Sequence, residues 1–196
     1  MSLFLQNLLE HERVVAELRH LNAAVQDVID ALTQVFREGG KLLICGNGGS
    51  AADAQHIAAE FVGRFIKERR PLPAIALNTD TSALTCIAND YAFAEVFSRQ
   101  VRALGTSRDC LLGISTSGNS GNVLKAVEVA NELGLLTVGL SGRDGGGLAR
   151  CAVKSLVVPS EVTARIQEAH ILIGHTLCGG VEQQLGLVES TTGAGG

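Results

Sequence analysis

Gly46-Asn47-Gly48-Gly49-Ser50-Ala51-Ala52-Asp53-Ala54-Gln55-His56-Ile57-Ala58-Ala59-Glu60-Phe61 follows directly on an apolar run at residues 42–45. A strand, a glycine turn and a helix are therefore expected in that order. Glycines let the backbone approach an anion closely, and the unpaired N–H groups of a first helical turn point at it. Ser50 is the expected N-cap. His56 and Glu60 stand four residues apart on the same helix, so both leave one face, roughly 6 Å apart along the axis. One segment thus offers an anion cradle and, a turn or two beyond it, an acid/base or metal-binding pair.

Outward from this stretch the pattern repeats. Residues 74–77, 110–114, 135–140 and 155–158 are further apolar strands, and helical spacing lies between them, as at 93–104 and 123–133. Residues 141–147 are expected as a loop. This alternation predicts an α/β fold, a doubly wound five-stranded parallel sheet whose ligand sits at the carboxyl ends of the strands. The run at 111–120 echoes that at 42–50: each is an apolar strand running into a Ser/Gly/Asn loop at a helix start. The hydroxyls of Ser115, Thr116, Ser117 and Ser120, with backbone N–H groups, suit a phosphate monoester without lysine or arginine. Neither loop has the spacing of a nucleoside-triphosphate or dinucleotide motif.

Before the first strand, residues 3–37 carry apolar side chains at helical spacing without Pro or Gly, and Gly39-Gly40 stops the pattern. Two helices or one bent helix are expected, an arm of about residues 1–37 whose several apolar stripes point to packing on another subunit. The last helix is expected over 162–188 and carries Gln167, His170 and His175 among apolar residues. A histidine in such a setting can be a satisfied core residue, and Gln167 and His175, roughly 12 Å apart in rise, barely converge by helical spacing alone. Residues 1–189 read as one domain and 190–196 as a flexible tail.

Composition narrows the function classes. The chain has 196 residues, 46% hydrophobic and 18% charged, with a net charge of −4, which gives no electrostatic reason to expect nucleic acid. A single Tyr and no Trp argue against a base-stacking platform. No apolar run reaches the roughly 18 residues that span a bilayer, and a cytoplasmic location is expected. The five cysteines have no paired spacing and read as small buried hydrophobes.

Three segments together resemble one family: residues 46–56, the run Ser115-Thr116-Ser117-Gly118-Asn119-Ser120, and Arg165-Ile166-Gln167-Glu168-Ala169-His170. They are similar to the phosphoheptose isomerases, sugar isomerase (SIS) proteins with a flavodoxin-like sheet that act on sedoheptulose 7-phosphate. The resemblance implies a homotetramer with active sites at subunit interfaces. It implies conversion to D-glycero-D-manno-heptose 7-phosphate, on the route to ADP-heptose and lipopolysaccharide core. It makes Asn47, Gly48, Gly49, Ser50, Glu60, Asn89, Asp90, Ser115, Thr116, Ser117, Ser120 and Gln167 substrate contacts. Glu60 and His175 become the acid/base pair, and His56, Glu60, Gln167 and His175 a zinc (Zn2+) site. Proteins that bind the replication initiator DnaA share the fold and offer the alternative of a non-catalytic regulator. They lack the equivalents of Glu60 and His175, both present here. Ala164 stands where some isomerases carry an acidic residue, so no carboxylate role is expected at that point.

Overall fold

The computed structural model describes residues 1–188. The flexible tail expected over 190–196 lies outside the described residues. Five parallel strands, β1 (Leu42–Gly46), β2 (Ala74–Ala76), β3 (Cys110–Ser115), β4 (Leu136–Gly142) and β5 (Lys154–Val158), form one sheet in the order β2-β1-β3-β4-β5. β1 pairs Leu42 with Ala74 on one side and with Cys110 on the other. Every residue of β1 is buried, because helices cover both faces and a right-handed crossover alternates between them.

Strand alternation divides the core. Leu42, Ile44, Leu112, Ile114, Val138 and Leu156 face α2 (Asn22–Arg37), α3 (Gly49–Val62) and α8 (Thr163–Gln184). Leu43, Cys45 and Leu111 face the other way, against α5 (Ser98–Leu104), α6 (Gly121–Glu132) and α7 (Gly146–Cys151). All five cysteines are free, and burial pushes the Cys45 thiol up to about 12. Cys45, Cys110 and Cys178 are buried as expected, whereas Cys151 is half-buried and Cys86 is exposed, which corrects the reading of all five as buried hydrophobes.

The N-terminal arm resolves into α1 (Leu3–Glu17) and α2, joined by a 3-10 turn at Leu18–Leu21. The arm is tied to α8 where Arg165 donates to the Asn7 carbonyl and His11 Nδ1 lies 2.8 Å from Glu168 Oε2. Three expectations are corrected. The loop expected over 141–147 is shorter, because β4 continues to Gly142 and a short helix, α7, begins at Gly146 and runs to Cys151. The 93–104 pattern splits into a 3-10 turn (Phe93–Glu95) and α5. The last helix ends at Gln184, with Gly186 at φ 67° beyond it. The remaining helix, α4 (Thr81–Asp90), is capped by Asp80, whose carboxylate accepts from the Ala83 N–H at 2.9 Å.

Candidate active site

β1 and β3 are adjacent strands whose connections run to opposite sides, so the loops that follow them open a crevice at the sheet's carboxyl edge. Gly48, at φ 56°, occupies the cap position of α3. This corrects the reading of Ser50 as the N-cap. The glycine pair lets the helix begin at Gly49, which turns Ser50 inward, where it is buried and its N–H donates to the Asn47 carbonyl at 3.0 Å. Ser50 is thus part of the turn's frame, while Gly48 and Gly49 are exposed.

The two loops are joined by a reciprocal amide pair. Asn47 Nδ2 donates to Asn122 Oδ1 at 2.8 Å, and Asn122 Nδ2 donates back to Asn47 Oδ1 at 2.9 Å. Asn122 is a site residue that sequence reasoning missed; its place in the first turn of α6, two residues past Ser120, was the available signal. In the second loop the Ser115 hydroxyl lies 2.9 Å from that of Ser120 and 3.5 Å from that of Ser117. Thr116 is half-buried beside them. Gly118, at φ 65°, lies so close to α7 that a Cβ there would sit 2.1 Å from the Gly145 carbonyl oxygen. Its own carbonyl accepts from the Leu148 N–H at 2.8 Å, and Asn119 Oδ1 accepts from the Gly147 N–H at 2.9 Å. The unforeseen α7 is therefore the clamp on this loop.

Further along α3, His56 Nε2 lies 3.2 Å from Glu60 Oε1 and 3.2 Å from His175 Nε2 on α8. The His175 ring stands edge-on to His56 at 5.0 Å and is covered on another side by Phe65 at 5.3 Å. Donor atoms of His56, Glu60 and His175 all fall within 4.8 Å of one another. Asp53, one turn before His56, is a second residue that sequence reasoning did not single out. One of its carboxylate oxygens is buried without a partner, and burial pushes its pKa up against the pull of His56.

Gln167 goes elsewhere. A Cβ on Gly49 would sit 2.1 Å from its Nε2, so the amide lies over the start of α3 rather than among the three donors. Asn89 and Asp90 end α4 in exposed positions, where Asn89 Nδ2 donates to Asp90 Oδ1 at 2.8 Å and Cys86 Sγ to Asp90 Oδ2 at 3.4 Å. Those bonds hold the Asp90 carboxyl below the usual range, the amide contributing most. One chain thus assembles the neutral cradle and the His56–Glu60–His175 trio, and leaves Asn89-Asp90 outside both.

The SIS domain family matches residues 8–142. Phosphoheptose isomerase 1 of Campylobacter jejuni subsp. jejuni is 57% identical over 86% of this chain and 91% of its own length. The phosphoheptose isomerase of Aliarcobacter butzleri is 50% identical over 94% and 98%. Among solved structures, the phosphoheptose isomerase of Neisseria gonorrhoeae superimposes with a TM-score of 0.87 at 47% identity, covering 92% of this chain and 97% of the other. That of Francisella tularensis gives 0.87 at 37% identity, covering 93% and 100%. With the sheet order, the paired loops and these relatives in agreement, the chain belongs to the phosphoheptose isomerases of the SIS domain family.

Proposed function

We propose that this chain interconverts sedoheptulose 7-phosphate and D-glycero-D-manno-heptose 7-phosphate, an early step toward ADP-heptose and lipopolysaccharide core. The carrying observation is the meeting of Glu60 and His175, from two different helices, in a chain that also builds a cradle of hydroxyls, amides and backbone N–H groups at the start of α3. Ketose–aldose isomerisation passes through an enediol and needs a base at carbon, a proton carrier at oxygen and an anchor for the phosphate. Glu60 removes a proton from C1 and returns it to C2, while His175 moves a proton between the two oxygens. Ser115, Ser117, Ser120 and the Gly48–Gly49 backbone hold the phosphate. The reading as a DnaA binder finds no support in the relatives above.

His56, Glu60 and His175 suit zinc. His56 Nε2 lies 3.2 Å from both His175 Nε2 and Glu60 Oε1, close to the separation of about 3.3 Å between ligand atoms around a tetrahedral zinc, and all three donors fall within 4.8 Å of one another. Bound there, the metal would polarise the sugar carbonyl. A carboxylate given to a metal is a weaker base, so Glu60 serves one role at the expense of the other.

Reach supports sites shared between the subunits of a homotetramer. Eleven residues of α3 separate Gly49 from Glu60, a rise of roughly 16 Å. An extended seven-carbon phosphosugar is about 10 Å from C1 to phosphorus at ordinary bond lengths. A sugar anchored at one chain's loops is therefore best served by the acid/base pair of a neighbour.

The decisive experiment is Glu60→Gln, which keeps size and hydrogen-bonding shape but cannot take a proton at neutral pH. Turnover of sedoheptulose 7-phosphate should fall on the order of 10²–10⁴-fold, with loss of deuterium uptake from heavy water, while ligand still protects the variant against heat. Normal turnover and exchange in the variant would move the base elsewhere. A parent protein without activity on any phosphosugar would end the isomerase reading.

A further inference from the structure

Beyond the pair itself lies a buried ion pair that touches both helices carrying it. The Arg69 side chain is 1% exposed and that of Glu182 2%. Arg69 Nε donates to Glu182 Oε1 at 2.7 Å, and the other guanidinium nitrogens serve the end of α3, NH1 donating as well to the Arg70 carbonyl at 3.1 Å. Its NH2 group donates to the carbonyl of Glu60 itself at 2.6 Å, and NH1 to the carbonyls of Phe61 and Gly63, both at 2.8 Å. The Glu60 and Phe61 carbonyls are among those a helix leaves without intrahelical partners at its last turn, and one rigid five-donor fork serves both together with that of the Gly63 cap, while the Leu72 N–H also donates to the Phe61 carbonyl at 3.0 Å.

Glu182 lies two turns past His175 on α8, on the same stripe of that helix. Its Oε1 also accepts from the Phe65 N–H at 3.3 Å, and the Phe65 ring lies on His175. From one carboxylate, therefore, two lines of contact run to the acid/base pair. One goes through Arg69 to the backbone of Glu60, the other through Phe65 to the imidazole of His175.

The geometry points to Arg69 and Glu182 as positioning residues that set the separation and facing of Glu60 and His175. Stability alone does not call for such a pair, since apolar residues of similar volume often replace a buried ion pair without loss. A fork aimed at the Glu60 carbonyl has no apolar substitute. This inference rests on the acid/base reading of Glu60 and His175. Displacing reacting groups by about 1 Å costs on the order of 10²-fold in rate.

The test compares Arg69→Lys, Glu182→Gln and Phe65→Leu in the full chain. The readouts are kcat and KM on sedoheptulose 7-phosphate and the ring C–H resonances of His175 in protein made with 13C-labelled histidine. Arg69→Lys keeps a charge for Glu182 but loses the fork. It should lower kcat at least about tenfold with KM within about threefold, and move the His175 resonances away from the position the Phe65 ring imposes. Phe65→Leu, with the ion pair intact, should move the same resonances and so marks their direction. Should Arg69→Lys fail to fold, Glu182→Gln decides in its place, with the same expectation. A folded Arg69→Lys or Glu182→Gln protein with parental kcat and unmoved His175 resonances would overturn the inference. So would losses of kcat that merely track the unfolded fraction. An inactive parent would strike the isomerase reading, whereas the resonances would still judge the positioning role of Arg69 and Glu182.

Discussion

His170 and His175 sit five residues apart on α8, about 140° around the helix, and that rotation gives them opposite fates. His175 joins Glu60 and His56; His170 is fully buried, its Nε2 3.1 Å from the Ser141 carbonyl and its Nδ1 without a partner. Burial lowers its pKa to about 4, against a small upward pull from the Ser141 bond. Unfolded chains, at the ordinary 6.5, take up a proton that folded chains refuse. This contribution to stability is thus complete above pH ~6.5 and lost as pH falls toward 4, by roughly 3 kcal/mol in all. Denaturant titrations at pH 7.5 and 4.5 should show that loss in the parent and a smaller one in His170→Gln; equal losses would refute the assignment. The sequence offers both histidines as candidates on an apolar helix. Helical spacing alone cannot tell them apart, and only the family resemblance singles out His175, because its contact with His56 spans 119 residues of sequence.

At the level of elements, the two loops are legible because glycine, serine and asparagine between an apolar strand and a helix have few other uses. The clamp on the second loop is not. α7 has six residues and opens with Gly146-Gly147, a composition that reads as turn, and only its docking on Gly118 and Asn119 makes it a helix with a purpose. Gly118→Ala should accordingly cost at least about 2 kcal/mol, from a left-handed φ and a clash with backbone, and should raise KM together with it. Ser120→Ala, which leaves the backbone alone, should raise KM about two- to tenfold with kcat nearly unchanged. A kcat loss at constant KM in Ser120→Ala would remove this loop from the phosphate. Ser50 shows the limit from the other side: its residue type suits a cap, but the preceding glycines start the helix early and bury it.

For the molecule as a whole, strand order and the two-faced core follow from the alternation of patterns, whereas the arm's purpose is written only in what it leaves uncovered. Leu3 and Phe4 are 72% and 75% exposed, and Leu5, Leu8 and Leu9 about 40%. A contiguous apolar stripe of this kind on one helix marks an interaction face. Leu8→Glu should therefore convert the proposed tetramer to smaller species by light scattering and lose activity with it. An active monomer, in parent or variant, would contradict shared sites. The cradle, finally, is built among the described residues from groups that do not ionise, namely Asn47, Asn122, Ser115, Ser117, Ser120 and two glycines, and an amide pair sets its width. None of these groups changes charge between acid and alkali. Acid sensitivity of capture then belongs to the guest, whose phosphate gives up its second proton near pH ~6, so affinity should weaken in acid along the sugar phosphate's own titration curve.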